Sequence, residues 1–244
     1  EGNYTLTKVG QFQIPGTGRF KHSEKNAYNC ICAIMDRLDD LVEYCNSLDV
    51  DNCNKDGLFA LFNLLTYGQI LIDCIKMLAK IYDVELKTNK CKDIFNQSGT
   101  DEKYFKYLRS LCVVHPIETT GYKEFQGDEP EWCPYVNTGD NALTHAMLGN
   151  VKSDEKPDFY AVVYRNDQEY MKFVPIYVKQ IFKYIERRYM ELTDIIDNIE
   201  IYTKKRIDEL RTTHIKQKDE FDDYKTYLKN LSQEIKQRYG DCTY

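Results

Sequence analysis

The stretch from about residue 58 to 83 is apolar on most sides, with Leu61, Leu64, Leu65, Ile70, Leu71, Ile72, Ile75, Leu78 and Ile81 spread round a helical wheel. Such a helix has little polar face to offer water, so other elements must surround it. It reads as the central buried helix of a mainly α fold. Gly and Pro number only 12 and 6 among 244 residues, which argues against a loop-rich or all-β chain.

The flanking segments supply the elements that would cover it. Ile31, Ile34, Leu38, Leu41 and Tyr44 keep helical spacing and predict a first helix over about 24–48, capped by Ser23. The Asp- and Asn-rich stretch 49–57 is a turn. Residues 86–99 form a polar connection with a helical turn expected near Ile94 and Phe95. Thr100 or Asp101 then caps a third helix, with Tyr104, Leu108, Leu111 and Val114 or His115 facing the core. Pro116 ends it, because the residue before a proline is pushed out of the helical region. Residues 117–141 carry Gly121, Gly127, Pro130, Pro134 and Gly139 and read as irregular, a length of loop that is often functional. A short helix is expected at 140–148.

Asp158 to Arg165 and Gln168 to Val174 alternate around Asn166-Asp167, the pattern of a β-hairpin. Pro175 or the next residue suits a first helical turn. Three-four spacing follows at Ile185, Tyr189, Leu192, Ile196 and Ile199, and again at Phe221, Tyr224, Leu228, Leu231 and Ile235. Thr212-Thr213 between them is a weak helix-forming spot, which favours a helical hairpin over one long helix. Gly240 ends the last helix. The alternation from Tyr4 to Val9 predicts an extended arm or short strands. The expected architecture is mainly α: an N-terminal arm at 1–22, an antiparallel helical bundle at 23–150, and a small β-hairpin with long, coiled-coil-like C-terminal helices at 151–244.

Charge and cysteine usage narrow the function classes. A net charge of -6 disfavours nucleic-acid binding by the whole surface but leaves room for a local basic site. Nine cysteines lie scattered with no Cys-x-x-Cys pair, so reduced, mostly buried thiols are expected rather than disulfides or a zinc site. Cys133 with His145 would need further ligands, and none has usable spacing. His22 and His214 are isolated. Arg187-Arg188, Lys204-Lys205-Arg206 and Lys216-Gln217-Lys218 are interspersed with acidic residues and read as solvated helix faces. No run of about 18 apolar residues and no signal-peptide pattern occurs, so a cytoplasmic chain with no membrane partner is expected.

One constellation carries chemistry. Arg109 and His115 share the third helix, about 9 Å apart along its axis and roughly 120° apart around it. The C-terminal end of a helix favours a cation, and an imidazole that exchanges a proton near neutral pH suits acid–base work. A guanidinium binds phosphate and stabilises charge developing on it. The two groups suffice in type for metal-free RNA cleavage, where the ribose 2′-hydroxyl is the nucleophile. The alternative is a surface arginine beside a histidine that hydrogen-bonds the helix end.

Arg109-Ser110-Leu111-Cys112-Val113-Val114-His115, following two long helices, resembles the HEPN superfamily, whose signature is Arg-x(4–6)-His. The resemblance covers about residues 23–150 and rests on two residues plus the order of helices. Members commonly carry Asn, Asp or His directly after the arginine, where this chain has Ser110, an auxiliary polar group near the site. The resemblance implies a metal-independent endoribonuclease that needs no cofactor and works as a homodimer, with two motifs facing one composite site. Arg109 and His115 would be its catalytic pair and RNA its substrate. Members recur in toxin–antitoxin, phage-abortive and CRISPR-associated defence, which adds an antitoxin or regulatory protein as a partner. Others are non-catalytic dimerisation or interaction modules, and that is the alternative reading here. Beyond His115, the loop with Tyr122, Lys123 and Trp132 offers substrate-binding groups, since single-stranded bases stack on aromatic rings. Alternatively these aromatics close over the helical core.

Overall fold

In the computed structural model, which describes residues 24–53, 55, 57–138, 156–166 and 171–239, the apolar segment forms α2 (Leu58–Ile81), preceded by α1 (Glu24–Ser47). The expected arm at 1–22, Ser23, the helix at 140–148, His22, His145 and Gly240 lie outside these residues. By length and hydropathy α2 is a helix that could cross a membrane, yet half of its most apolar window is buried inside the protein. Leu61, Leu64, Leu65, Ile75 and Leu78 are wholly shielded. Each such side chain contributes about 1.5–3 kcal/mol of burial free energy. The class is mainly α with a small antiparallel sheet.

The chain divides into two compact units, neither continuous in sequence: Glu1–Leu38 with Cys74–Glu85 and Met190–Tyr244, and Asp39–Asp73 with Leu86–Tyr189. In the first, Ile31, Ile34 and Leu38 of α1, Ile75 and Leu78 of α2, and Ile195 and Ile199 of α5 (Val178–Thr212) are buried. Asn198 donates to the Tyr82 carbonyl at 3.0 Å. α5 ends at Thr212, where the Thr212 and Thr213 hydroxyls bond back to the Glu209 carbonyl at 3.0 and 2.8 Å and compete with further helix. A separate helix, α6 (Tyr224–Tyr239), follows, with Asp223 accepting from the Thr226 amide at 2.8 Å. No described side chain of α6 is buried, and Tyr224, Leu228 and Ile235 stand exposed.

The second unit carries the sheet. Strands β1 (Trp132–Thr138), β2 (Phe159–Tyr164) and β3 (Lys172–Ile176) pair antiparallel in that order. The expected hairpin is β2–β3. The sheet thus takes strands from both sides of residue 150. Residues 132–138, expected to be irregular, form its third strand. Pro134 was the misleading signal: it falls inside the register shift between Trp132 and Tyr135 on β1, which pairs on one side among the described residues, the kind of bulged position that tolerates a missing N–H. Pro175 likewise lies in β3, which also pairs on one side among the described residues, rather than opening a helix. α5 begins instead at Val178, whose amide is capped by the Asp158 carboxylate at 2.8 Å.

Three further expectations change for physical reasons. The helical turn in the connection falls at Lys87–Lys90, not at Ile94-Phe95. Those two residues are buried, and the Asp101 carboxylate accepts from their amides at 3.2–3.3 Å without needing a helix. Thr100 is the cap of the third helix, α3 (Asp101–Arg109), accepting from the Lys103 amide at 3.3 Å. On α5, Ile185 and Ile199 of the expected seam are buried, whereas Tyr189 is exposed and Ile195, next to the expected Ile196, is buried. Arg188 is fully buried rather than solvated, and donates to Asn89 Oδ1 at 2.8 Å and to the Thr88 hydroxyl. Arg187 grips both Asp93 oxygens, at 2.6 and 2.8 Å.

Gly68 sits where α2 meets α5 within this unit. A Cβ there would collide with Ile185 Cδ1 and come within 2.8 Å of its Cγ1. Gly68→Ala should therefore destabilise, because overpacking of about 1–3 kcal/mol outweighs a helix-propensity gain of about 1 kcal/mol. A lower urea midpoint checks it.

Candidate functional site

The third helix does not run as one α-helix to His115. It is α-helical through Arg109, then Ser110–Val114 close a single π turn, in which the His115 amide donates to the Ser110 carbonyl at 3.0 Å. Pro116 ends the helix here. It bars His115 from helical geometry, and His115 takes φ -134°, ψ 53°. A π turn holds one residue more than an α turn, so everything after it is set back by about 100°. The straight-helix spacing of 9 Å and 120° therefore does not describe the pair. The same change of phase exposes Val114 and His115, which were candidates for the core, while Leu111 stays fully buried.

Arg109 is half-buried. Its Nε is shielded from solvent and has no hydrogen-bond partner among the described residues. No carboxylate pairs with it there, in contrast to Arg187 with Asp93, Arg211 with Asp208 and Arg165 with Glu131. His115 presents its ring to solvent, and its carbonyl accepts from the Thr119 hydroxyl at 2.9 Å. No hydrogen bond links Arg109 to His115 in one chain. Ser110 faces inward: it is 3% exposed and its hydroxyl lies 3.5 Å from Thr119 Oγ1.

The aromatic loop after His115 packs on the protein. Tyr122 is half-buried with its ring 5.7 Å from Tyr107. Phe125, on the short helix α4 (Lys123–Gln126), sits 5.1 Å from Tyr104 and 5.3 Å from Tyr107. Lys123 is exposed and paired with Asp128 at 2.7 Å. Trp132 is half-buried at the start of β1, opposite Tyr164. The arrangement matches the reading in which these aromatics close over the core.

Sequence reasoning missed a buried polar cluster beneath this loop. Glu131 is completely buried, accepts from the Tyr107 hydroxyl at 2.6 Å and from Lys172 at 3.2 Å, and lies 3.8 Å from Arg165. Burial first, then the Glu131 charge, pushes the Tyr107 hydroxyl far above its ordinary range, so it stays a neutral donor. Thr119 and Glu131 exchange backbone hydrogen bonds of 2.7 and 3.0 Å. Nothing in Asp128-Glu129-Pro130-Glu131 marks one carboxylate as buried; that stretch reads as a solvated acidic turn. The only available signal was the wish of a buried tyrosine for a partner.

Burial raises the Cys112 thiol strongly and pushes that of Cys133 up to about 11. Both stay protonated near neutral pH, which makes Cys133 a poor nucleophile. Among the described residues no group of three His, Cys, Asp or Glu side chains is placed to hold a metal ion. Comparison with known proteins finds no matching family model, no matching curated protein and no matching solved structure.

Proposed function

We propose that this chain is a metal-independent endoribonuclease of HEPN-like type, acting in the cytoplasm as a homodimer with a composite Arg109/His115 site. The observation that carries the reading is the shielded Nε of Arg109, which has no hydrogen-bond partner among the described residues, on the helix that leads to an exposed imidazole. A buried donor without a partner costs about 1–3 kcal/mol. Such a group calls for an explanation, and a bound anion is one. An RNA phosphate would supply that anion. The 2′-oxygen attacks the adjacent phosphorus as an imidazole takes its proton. The P–O5′ bond breaks, and the leaving 5′-oxygen receives a proton from an imidazole. Arg109 stabilises the charge that builds on the phosphoryl oxygens.

The Arg109/His115 motif of one copy carries one imidazole, and the two proton transfers call for two, which favours a dimer. As a toxin or phage-defence effector, such an enzyme would be held in check by an antitoxin or regulatory protein. The reaction leaves 2′,3′-cyclic phosphate and 5′-hydroxyl ends. Wild-type protein incubated with mixed RNA in EDTA should generate both; intact RNA, or cleavage that needs a divalent metal, would overturn the reading.

A second reading, a non-catalytic helical interaction module, draws on α6. Its exposed Tyr224, Leu228 and Ile235 stand at i, i+4 and i+11 on one side of the helix and form an apolar stripe fit for a partner helix.

A further inference from the structure

The His115 ring makes no hydrogen bond to the described residues, so its place in space is set by its backbone. Two bonds fix that backbone. The amide closes the π turn on Ser110, and the carbonyl accepts the Thr119 hydroxyl at 2.9 Å. Thr119 is itself wholly buried and tied down on three sides. Its amide and carbonyl pair with Glu131, and its carbonyl also accepts Gln126 Nε2 at 3.0 Å. Beside it, the Cys133 amide of β1 donates to the Pro116 carbonyl at 3.0 Å.

Glu131 connects this loop to the rest of the unit. Its carboxylate joins Tyr107 of α3, Lys172 of β3 and Arg165 just after β2. A continuous run of bonds therefore leads from the helix and the sheet, through Glu131 and Thr119, to the carbonyl of His115. A buried carboxylate with two cations is a weak source of net stability, since well-packed apolar residues often do as well. Holding a reactive side chain in place is a use that apolar packing serves less well.

We propose that Thr119 is a positioning residue for His115, acting through its hydroxyl and anchored in turn by Glu131. Its effect on catalysis rests on the ribonuclease reading, whereas its effect on the His115 backbone does not. The test compares Thr119→Val, which keeps the shape and loses the hydroxyl, with Thr119→Ser, which keeps the hydroxyl, in the full chain. Thr119→Val should lower kcat by about tenfold or more with KM within roughly twofold, because misplacement of a catalytic group acts on the chemical step. It should also lower protection of the His115 amide from hydrogen exchange by about tenfold, while the Leu64 and Leu65 amides in α2 keep theirs and show the variant folded. Thr119→Ser should restore both. Thr119→Val matching wild type in His115 protection, or Thr119→Ser as impaired as Thr119→Val, would overturn the proposal. If wild type cleaves no RNA, the ribonuclease reading fails and the exchange data alone decide whether Thr119 positions His115.

Discussion

Replacing Glu131 with alanine is expected to lower the free energy of unfolding by about 3 kcal/mol, the low end of the range for breaking a buried ion pair. The side chain is wholly buried, whereas Lys172 is 31% exposed and Arg165 is 11% exposed. Water can therefore recover part of the lysine's solvation once the carboxylate is gone, but little of the arginine's. The Tyr107 hydroxyl loses its acceptor as well, and a buried donor left unsatisfied adds to the loss. Glu131→Gln keeps an acceptor and removes only the charge, so it should fall between wild type and alanine. Urea titration reads the order directly. An alanine variant as stable as wild type would show that the cluster contributes nothing to the fold.

Arg109→Ala should behave in the opposite way. Cleavage is expected to fall by about 10²–10³-fold, the usual loss when a donor to developing negative charge is removed. Stability should change little, or rise, because truncation discards a shielded Nε that has no partner among the described residues. Arg109→Lys keeps the charge and loses the planar fork, so it should recover only part of the activity. Loss of activity without loss of stability separates a functional arginine from a structural one. A variant that melts early and still cleaves would point to a structural role.

Glu131 and Arg109 also mark where the sequence is legible and where it is not. Periodicity located α1 and α2 within a residue or two, since an apolar stripe repeated over six turns leaves few alternatives. The β2–β3 hairpin was equally plain from its alternation. Pro134 and Pro175 hid strand structure because proline's restriction matters only where a ladder bond is needed, and both lie on strands that pair on one side among the described residues. The π turn was invisible because Pro116 marks where the helix must stop, not whether its last turn closes as α or π. Arg109 and His115 stood out by residue type and spacing. Thr119 and Glu131 did not, because their roles come from partners 4 to 41 residues away along the chain.

The central claim is metal-free cleavage through His115, and the most direct measurement is the rate of RNA cleavage in EDTA by wild type and by His115→Ala at equal concentration. The expected result is cleavage by wild type and a loss of about 10²–10⁴-fold in the variant, the contribution of one positioned acid–base group. Equal cleavage by the two proteins, or none by wild type, would contradict it.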